Sequence, residues 1–192
     1  TNNDDAYLTA FALKDAGLSV PAIVDARSAG AGDVQEQARS RGIEVLNGHA
    51  VAKVKGGKRV TGVVLCRQDG NGGSVREISC DAVAMSGGWS PVVHLWSHCG
   101  GKLHWDADQA LFRPDVDKAP LGAVGEPFVL AAGTANGMLP LDAVLDDADA
   151  AGKAAAKALG FTPKRTKGPQ AEPEETTPMA PVWLMPQGAG IE

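Results

Sequence analysis

Apolar and polar positions follow two different periods along the chain, and the change falls near Asn47. Before it, Tyr7, Leu8, Phe11 and Ala12 recur at helical spacing and predict a helix over residues 4–15. Asn2 and Asn3 are placed to cap it, Asp4 and Asp5 suit the positive end of its dipole, and Gly17 suits its stop. Residues 20–25 form a short apolar run ending in an acid, the pattern of a buried strand. A Gly/Ala loop over 29–32 leads to a second helix over 33–41, ended by Gly42, and then to a strand over 43–46. Helix, strand, helix, strand with short connections predicts a parallel sheet with crossover helices. The strand that should precede the first helix would lie before Thr1, and both termini read as cuts in a longer chain.

After Asn47 the period shortens. Residues 49–55, 59–66 and 74–80 alternate and are separated by Gly56-Gly57 and Asp69-Gly70-Asn71-Gly72-Gly73, which predicts an antiparallel meander. Residues 81–85 read as a short core strand ending in Ser86-Gly87-Gly88. Residues 91–99 read as a short helix with Leu95 and Trp96 inward, and 100–126 as mostly loop with short strands. Residues 128–132 read as a strand, followed by Gly133-Thr134-Ala135-Asn136-Gly137 and an Ala-rich helix over 141–159 stopped by Gly160. Six of the 12 prolines lie between Pro163 and Pro186, a composition suited to an extended linker. Within it, Val182-Trp183-Leu184-Met185 is apolar enough to dock on a neighbouring surface.

Composition narrows the function classes. The 192 residues carry a formal charge of −5, so a phosphate backbone is repelled on average and a nucleic-acid partner is not expected. No apolar stretch approaches the roughly 20 residues of a membrane span and no N-terminal signal is present, which predicts a soluble cytoplasmic protein. Cys66, Cys80 and Cys99 are widely spaced, as structural thiols rather than a disulfide framework, a dithiol centre or a zinc site. His94 and His98 are four apart but lack a third ligand, so no metal site is predicted.

Chemistry points to cofactor binding, with no catalytic side chain. A dinucleotide-binding turn carries Gly-x-Gly-x-x-Gly so that backbone can approach a pyrophosphate. The corresponding turn here, Thr1-Asn2-Asn3-Asp4-Asp5-Ala6, has no glycine and two carboxylates. At ~4 Å and an effective dielectric of about 20, one such charge pair repels by about 4 kcal/mol, so this turn is not expected to hold phosphate. Asp25 ends the next strand, where an acid would hold a ribose hydroxyl; a solvated strand end or an ion pair with Arg27 are its alternatives. Gly87, Gly88 and Trp89, and Gly133, Thr134, Ala135, Asn136 and Gly137, stand at the carboxyl ends of expected strands, where ligands of open α/β sheets bind. Their alternative is an ordinary chain reversal.

Five segments together resemble the alpha subunits of bacterial heterotetrameric sarcosine oxidases. They are Thr1-Asn2-Asn3-Asp4-Asp5-Ala6-Tyr7, Val24-Asp25-Ala26-Arg27, Ser86-Gly87-Gly88-Trp89-Ser90-Pro91-Val92-Val93-His94-Leu95, Gly100-Gly101-Lys102-Leu103 and Ala131-Ala132-Gly133-Thr134-Ala135-Asn136-Gly137. The resemblance implies an α/β fold of the FAD/NAD(P)-binding, Rossmann-like, two-dinucleotide-domain reductase type with a β-meander, incomplete at the N-terminus. It implies a second dinucleotide-binding unit over 1–86, the returning part of the first over 87–162, and a linker over 163–192 toward an absent folate-binding domain. It also implies a complex with beta, gamma and delta subunits. Sarcosine is oxidised there at FAD, electrons pass through FMN to oxygen, the methylene group goes to tetrahydrofolate, and the alpha subunit carries a non-redox NAD. Related flavoenzymes place Gly-Asp where this chain has Gly133-Thr134; the uncharged Thr134 suits NAD better than FAD. An amine or opine dehydrogenase subunit and a ligand-free scaffold for assembly are the competing expectations. A piece that lacks its neighbouring sheet is expected to self-associate.

Overall fold

A computed structural model of the chain describes residues 1–29, 32–163, 168–174 and 179–183. They fall into two compact units: Thr1–Gly88 with the described part of Thr177–Glu192, and Trp89–Thr176. Elements of both kinds are present, so the chain is a mixed α/β protein.

The first unit begins with α1 (Asp5–Asp15), β1 (Ala22–Asp25), α2 (Gly32–Ser40) and β2 (Glu44–Asn47). β1 and β2 pair in parallel, with Asp25 opposite Asn47. Thr1 adds the two bonds of a parallel neighbour on the other side of β1: its nitrogen donates to Val24 O and its carbonyl accepts from Ala26 N. The helices close over this sheet because Tyr7, Ala10 and Phe11 share one face of α1 and meet Ile23, Ala38 and Ile43 in a buried cluster. Each large side chain in it contributes about 1.5–3 kcal/mol. Leu8, expected on the inner face, is exposed, and Ala10 takes that place.

The antiparallel meander comprises β3 (His49–Gly56), β4 (Val60–Arg67) and β5 (Ser74–Ile78), with β4 central. Val63, Leu65 and Cys66 on β4 and Ala50 on β3 are buried, which accounts for Cys66 as a packing thiol.

The second unit contains α3 (His94–His98), the antiparallel pair β6 (Leu103–Asp106) and β7 (Leu111–Pro114), and α4 (Leu141–Ala158). Short 3-10 turns cover Val116–Lys118 and Gly133–Asn136. Trp96 is buried and donates its indole N–H to Lys102 O at 2.7 Å, whereas Leu95, expected beside it, is 77% exposed. Across β6 and β7, Trp105 and Phe112 stack edge to face at 5.0 Å.

Two predicted strands did not form. Residues 81–85 and 128–132 have no ladder partner among the described residues; Met85 is 92% and Leu130 52% exposed. Near the second lies only an isolated bridge, Leu121 to Pro127. Apolar alternation reports which side chains seek cover, but a strand also needs a neighbour for its N–H and C=O groups. Of the Gly/Ala loop, Gly30 and Ala31 lie outside the described residues, as do Leu184, Met185 and parts of the Pro-rich segment; its described parts contain no helix or strand.

Candidate functional site

The turn before α1 is built differently from the expected cap. Asp4 occupies the N-cap position with helical backbone angles and makes no side-chain cap bond. Asn2 and Asn3 are 2% and 1% exposed and point away from the helix end. Asn3 Nδ2 donates to Asn2 Oδ1 and to Ser86 Oγ, both at 3.0 Å, while Asn2 Nδ2 donates to Ala180 O at 2.7 Å and Gly87 O at 3.3 Å. The Asn3 N–H, one of the groups that would face a bound anion, is taken by Thr1 Oγ1 at 3.2 Å. Nor is the Asp4 carboxylate uncompensated: Arg27 Nη2 lies 2.7 Å from its Oδ1. Phosphate is therefore repelled less by charge at this turn than two bare carboxylates would repel it, and is opposed mainly by the polar side chains and peptide that fill the place.

Asp25 is fully buried at the end of β1. Its Oδ1 accepts from the Arg27 backbone N–H and Nε, and its Oδ2 accepts from Tyr7 OH at 2.8 Å and Arg27 Nη2 at 2.7 Å. Arg27 thus bridges Asp25 and Asp4. The alternative that the sequence left open, an ion pair with Arg27, is the one present. A ribose hydroxyl would have to compete with four donors already in place. Burial works to raise the Asp25 pKa, but the hydrogen bonds from Arg27 and Tyr7 outweigh it and hold the carboxyl below its usual range. Burial, joined by the bond to Asp25, pushes the Tyr7 phenol up. Gln35 Nε2 continues the network to Tyr7 OH at 3.0 Å and Asn47 Oδ1 at 2.8 Å, so α1, α2, β1 and β2 share it. Sequence reasoning counted Tyr7 only as an apolar position and passed over Gln35 and Asn47. Their polar atoms at the same end of neighbouring elements were the available signal.

The Ser86-Gly87-Gly88 segment faces the chain's own residues. Gly87 O accepts from Asn2 Nδ2 and from Trp183 Nε1, the latter at 2.7 Å. Gly88 has φ +96°, and a Cβ there would lie 1.8 Å from Met179 Sδ. Trp89 begins the second unit and is exposed. Met179 packs against Gly88, and Trp183 bonds Gly87 O while Gly87 itself stays exposed.

In the second unit, Gly133, Thr134, Ala135 and Asn136 form a 3-10 turn that Gly137 ends in the left-handed region at φ +84°. A Cβ on Gly137 would sit 3.1 Å from Arg113 Nε, and one on Gly133 3.1 Å from Val144 Cγ1. The Gly133 N–H donates to Asp147 Oδ2 at 2.7 Å, and Asn136 Nδ2 reaches both oxygens of the same carboxylate at 3.3 Å. Asp147, in the second turn of α4, is a residue the sequence reading missed; an acid early in the helix that follows a glycine-bearing bend is the kind of signal that would reveal it. Asn136 and Ala131 also line an open, mainly apolar hollow of about 190 Å³ with Trp96, Val116, Leu130 and Pro127.

His94 and His98 sit at the two ends of α3, and no cluster suited to a metal ion occurs among the described residues. No helix among them is long and apolar enough to cross a membrane.

No family model matches the chain. It is similar to sarcosine oxidase subunit alpha of Rhizobium meliloti (strain 1021), 34% identical over 97% of this chain and 17% of that protein. The subunits of Corynebacterium sp. strains P-1 and U-96 are 33% and 35% identical over 97% and 99% of this chain, and 18% and 19% of theirs. Among solved structures it is similar to L-proline dehydrogenase from P. horikoshii, with a TM-score of 0.44 and 19% identity over 74% of this chain and 26% of that one. The chain therefore spans less than a fifth of the curated relatives it matches, and over nearly all of its own length it is similar to a segment of those alpha subunits.

Proposed function

We propose that this chain is the cofactor-holding part of an alpha subunit in an amine-oxidising complex of the sarcosine oxidase type. The observation that carries the reading is 33–35% identity to three such subunits over 97–99% of this chain. In this reading the whole complex, with beta, gamma and delta subunits, converts sarcosine to glycine and passes the methylene group to tetrahydrofolate. FAD and FMN act elsewhere in the complex, and this chain contributes no catalytic side chain. Residues 1–86 are a Rossmann-like second dinucleotide-binding unit, 87–162 the returning part of the first, and 163–192 a linker.

The reading assigns NAD to this region and favours the Gly133–Gly137 turn, with Thr134, Ala135 and Asn136, over Gly87, Gly88 and Trp89, because Gly87 and Gly88 already meet Trp183 and Met179. The hollow beside that turn supports this reading: apolar walls from Trp96 and Leu130 with one amide from Asn136 suit a flat ring. At about 190 Å³ it is smaller than the roughly 300 Å³ at which pockets for drug-sized ligands begin, so it suits one ring of a dinucleotide and not the whole molecule. The Asp147 carboxylate at Gly133 N disfavours a phosphate at that N–H, so the diphosphate would lie off the turn. Titration of the full-length subunit with NAD tests the placement. Gly133→Val should abolish binding, while Asp4→Ala should leave it unchanged; undiminished affinity in Gly133→Val counts against the assignment.

A ligand-free scaffold for assembly is the second reading, favoured by the same Asp147 bond, which satisfies the turn from within. Nucleotide released when the purified intact complex is denatured would exclude it. Oxygen uptake with sarcosine, proline and dimethylglycine separates the sarcosine reading from another amine substrate.

A further inference from the structure

The Asn2–Asn3 turn lies where a dinucleotide-binding fold would place its glycine-rich phosphate cradle, yet its buried donors and acceptors are matched to a peptide. Asn2 makes a reciprocal pair with one residue of the Pro-rich segment: Ala180 N–H donates to Asn2 O at 3.2 Å, and Asn2 Nδ2 donates to Ala180 O at 2.7 Å. Both groups of a single peptide residue are read, as a neighbouring strand would read them. Asn3 and Ser86 hold the Asn2 amide in place through the bonds described above.

Side-chain recognition flanks this backbone pair. Met179 is buried against Gly88, where a Cβ would have to displace its sulfur, and the φ of +96° favours glycine on the receiving side. Three residues past Ala180, the Trp183 indole donates to Gly87 O at 2.7 Å, while Val182 N–H turns back to Ala180 O at 2.8 Å and shapes the segment into a tight bend. Ala180 is small enough to let the two backbones approach. Both partners belong to the same compact unit.

We infer that Asn2, Asn3, Ser86, Gly87 and Gly88 form a docking site for a bent apolar peptide, and that the chain's own Met179–Trp183 is its ligand. The inference is independent of whether NAD is bound elsewhere. It makes Met179–Trp183 an anchored stretch of the Pro-rich segment, with Met179 and Trp183 as the two specificity-determining side chains.

Hydrogen exchange of the Ala180 amide in the full-length subunit tests it. The wild-type amide should be protected well beyond its free-chain rate. Trp183→Phe keeps the ring but removes the donor and should speed exchange about fivefold to tenfold, the loss of one net hydrogen bond. Asn2→Ala should remove most of the protection. Because Asn2 is buried in the first unit, Met179→Ala serves as a companion variant that alters only the segment; it too should speed exchange while leaving amides of β4 as protected as before. An unprotected Ala180 in the wild type, or one indifferent to both Trp183→Phe and Met179→Ala, would overturn the docking site.

Discussion

The two units spend their apolar residues in opposite ways. In the first, Tyr7, Phe11, Ile23 and Ile43 close a cluster between α1, α2 and the parallel pair, and Leu65 is fully buried in the meander. A saturated polar network around Asp25 lies at one end of that sheet. In the second, Trp96, Ala110 and Leu111 are buried, but Val92, Leu95, Val116, Val124, Phe128 and Leu130 are exposed, and no side chain of α4 is buried. Local sequence quality does not explain the contrast, since both units contain well-patterned helices and β-prone runs. Closure does: α1, α2, β1 and β2 of the first unit supply strand neighbours and helix faces to one another, whereas in the second unit residues 128–132 have no ladder partner among the described residues and α4 buries no side chain.

The contrast is most sharply broken by removing the charge at the heart of the network. Asp25→Ala leaves Arg27 half-buried with only Asp4 and Tyr7 without its acceptor, and should cost the first unit about 3–5 kcal/mol. Hydrogen exchange of β1 and β2 amides would register it as a collapse of protection. Leu65→Ala comes next, with an expected loss of about 2–5 kcal/mol from a fully buried position. Its counterpart Leu130→Ala in the second unit should change denaturation by no more than about 0.5 kcal/mol. Equal losses at Leu65 and Leu130 would mean that the second unit has a core after all.

Acid provides a smaller and more selective effect. The folded Asp25 pKa lies below its ordinary 3.8, so the group stabilises the fold fully above about pH 4. That contribution fades as pH falls through the lower folded value. An acid titration of first-unit stability should therefore steepen below pH ~4 in the wild type and flatten in Asp25→Asn. The gentlest probe is association. The chain by itself should sediment as a concentration-dependent oligomer, and Leu95→Lys with Leu130→Lys should shift it toward monomer. A wild-type chain that is monomeric at every concentration would show that this exposed surface is tolerated without cover.

Much of the first unit was legible in the residues. The periods of Tyr7 and Phe11, the apolar run before Asp25, and the Gly-bearing turns of the meander placed α1, β1 and β3 to β5 within a few residues of where they lie. Of the candidate site, the sequence marked the glycine-bearing bends and the Asp25–Arg27 pairing as one option. It could not show that Asp147 reaches Gly133, because that bond spans a turn and a helix start whose geometry is set by packing.

The amino-acid pattern by itself fixed what each segment seeks: a helical stripe to bury, an alternating strand face, a glycine where φ is positive. Only the tertiary structure decided what each segment found. Residues 81–85 and 128–132 carry the pattern of strands and have no ladder among the described residues, since pairing depends on a second backbone that no local period encodes. Asn2 and Asn3 carry the chemistry of helix caps and instead read Ala180 and Ser86, because a short amide bonds whichever backbone group is brought within 3 Å, and the fold brings one from residue 180.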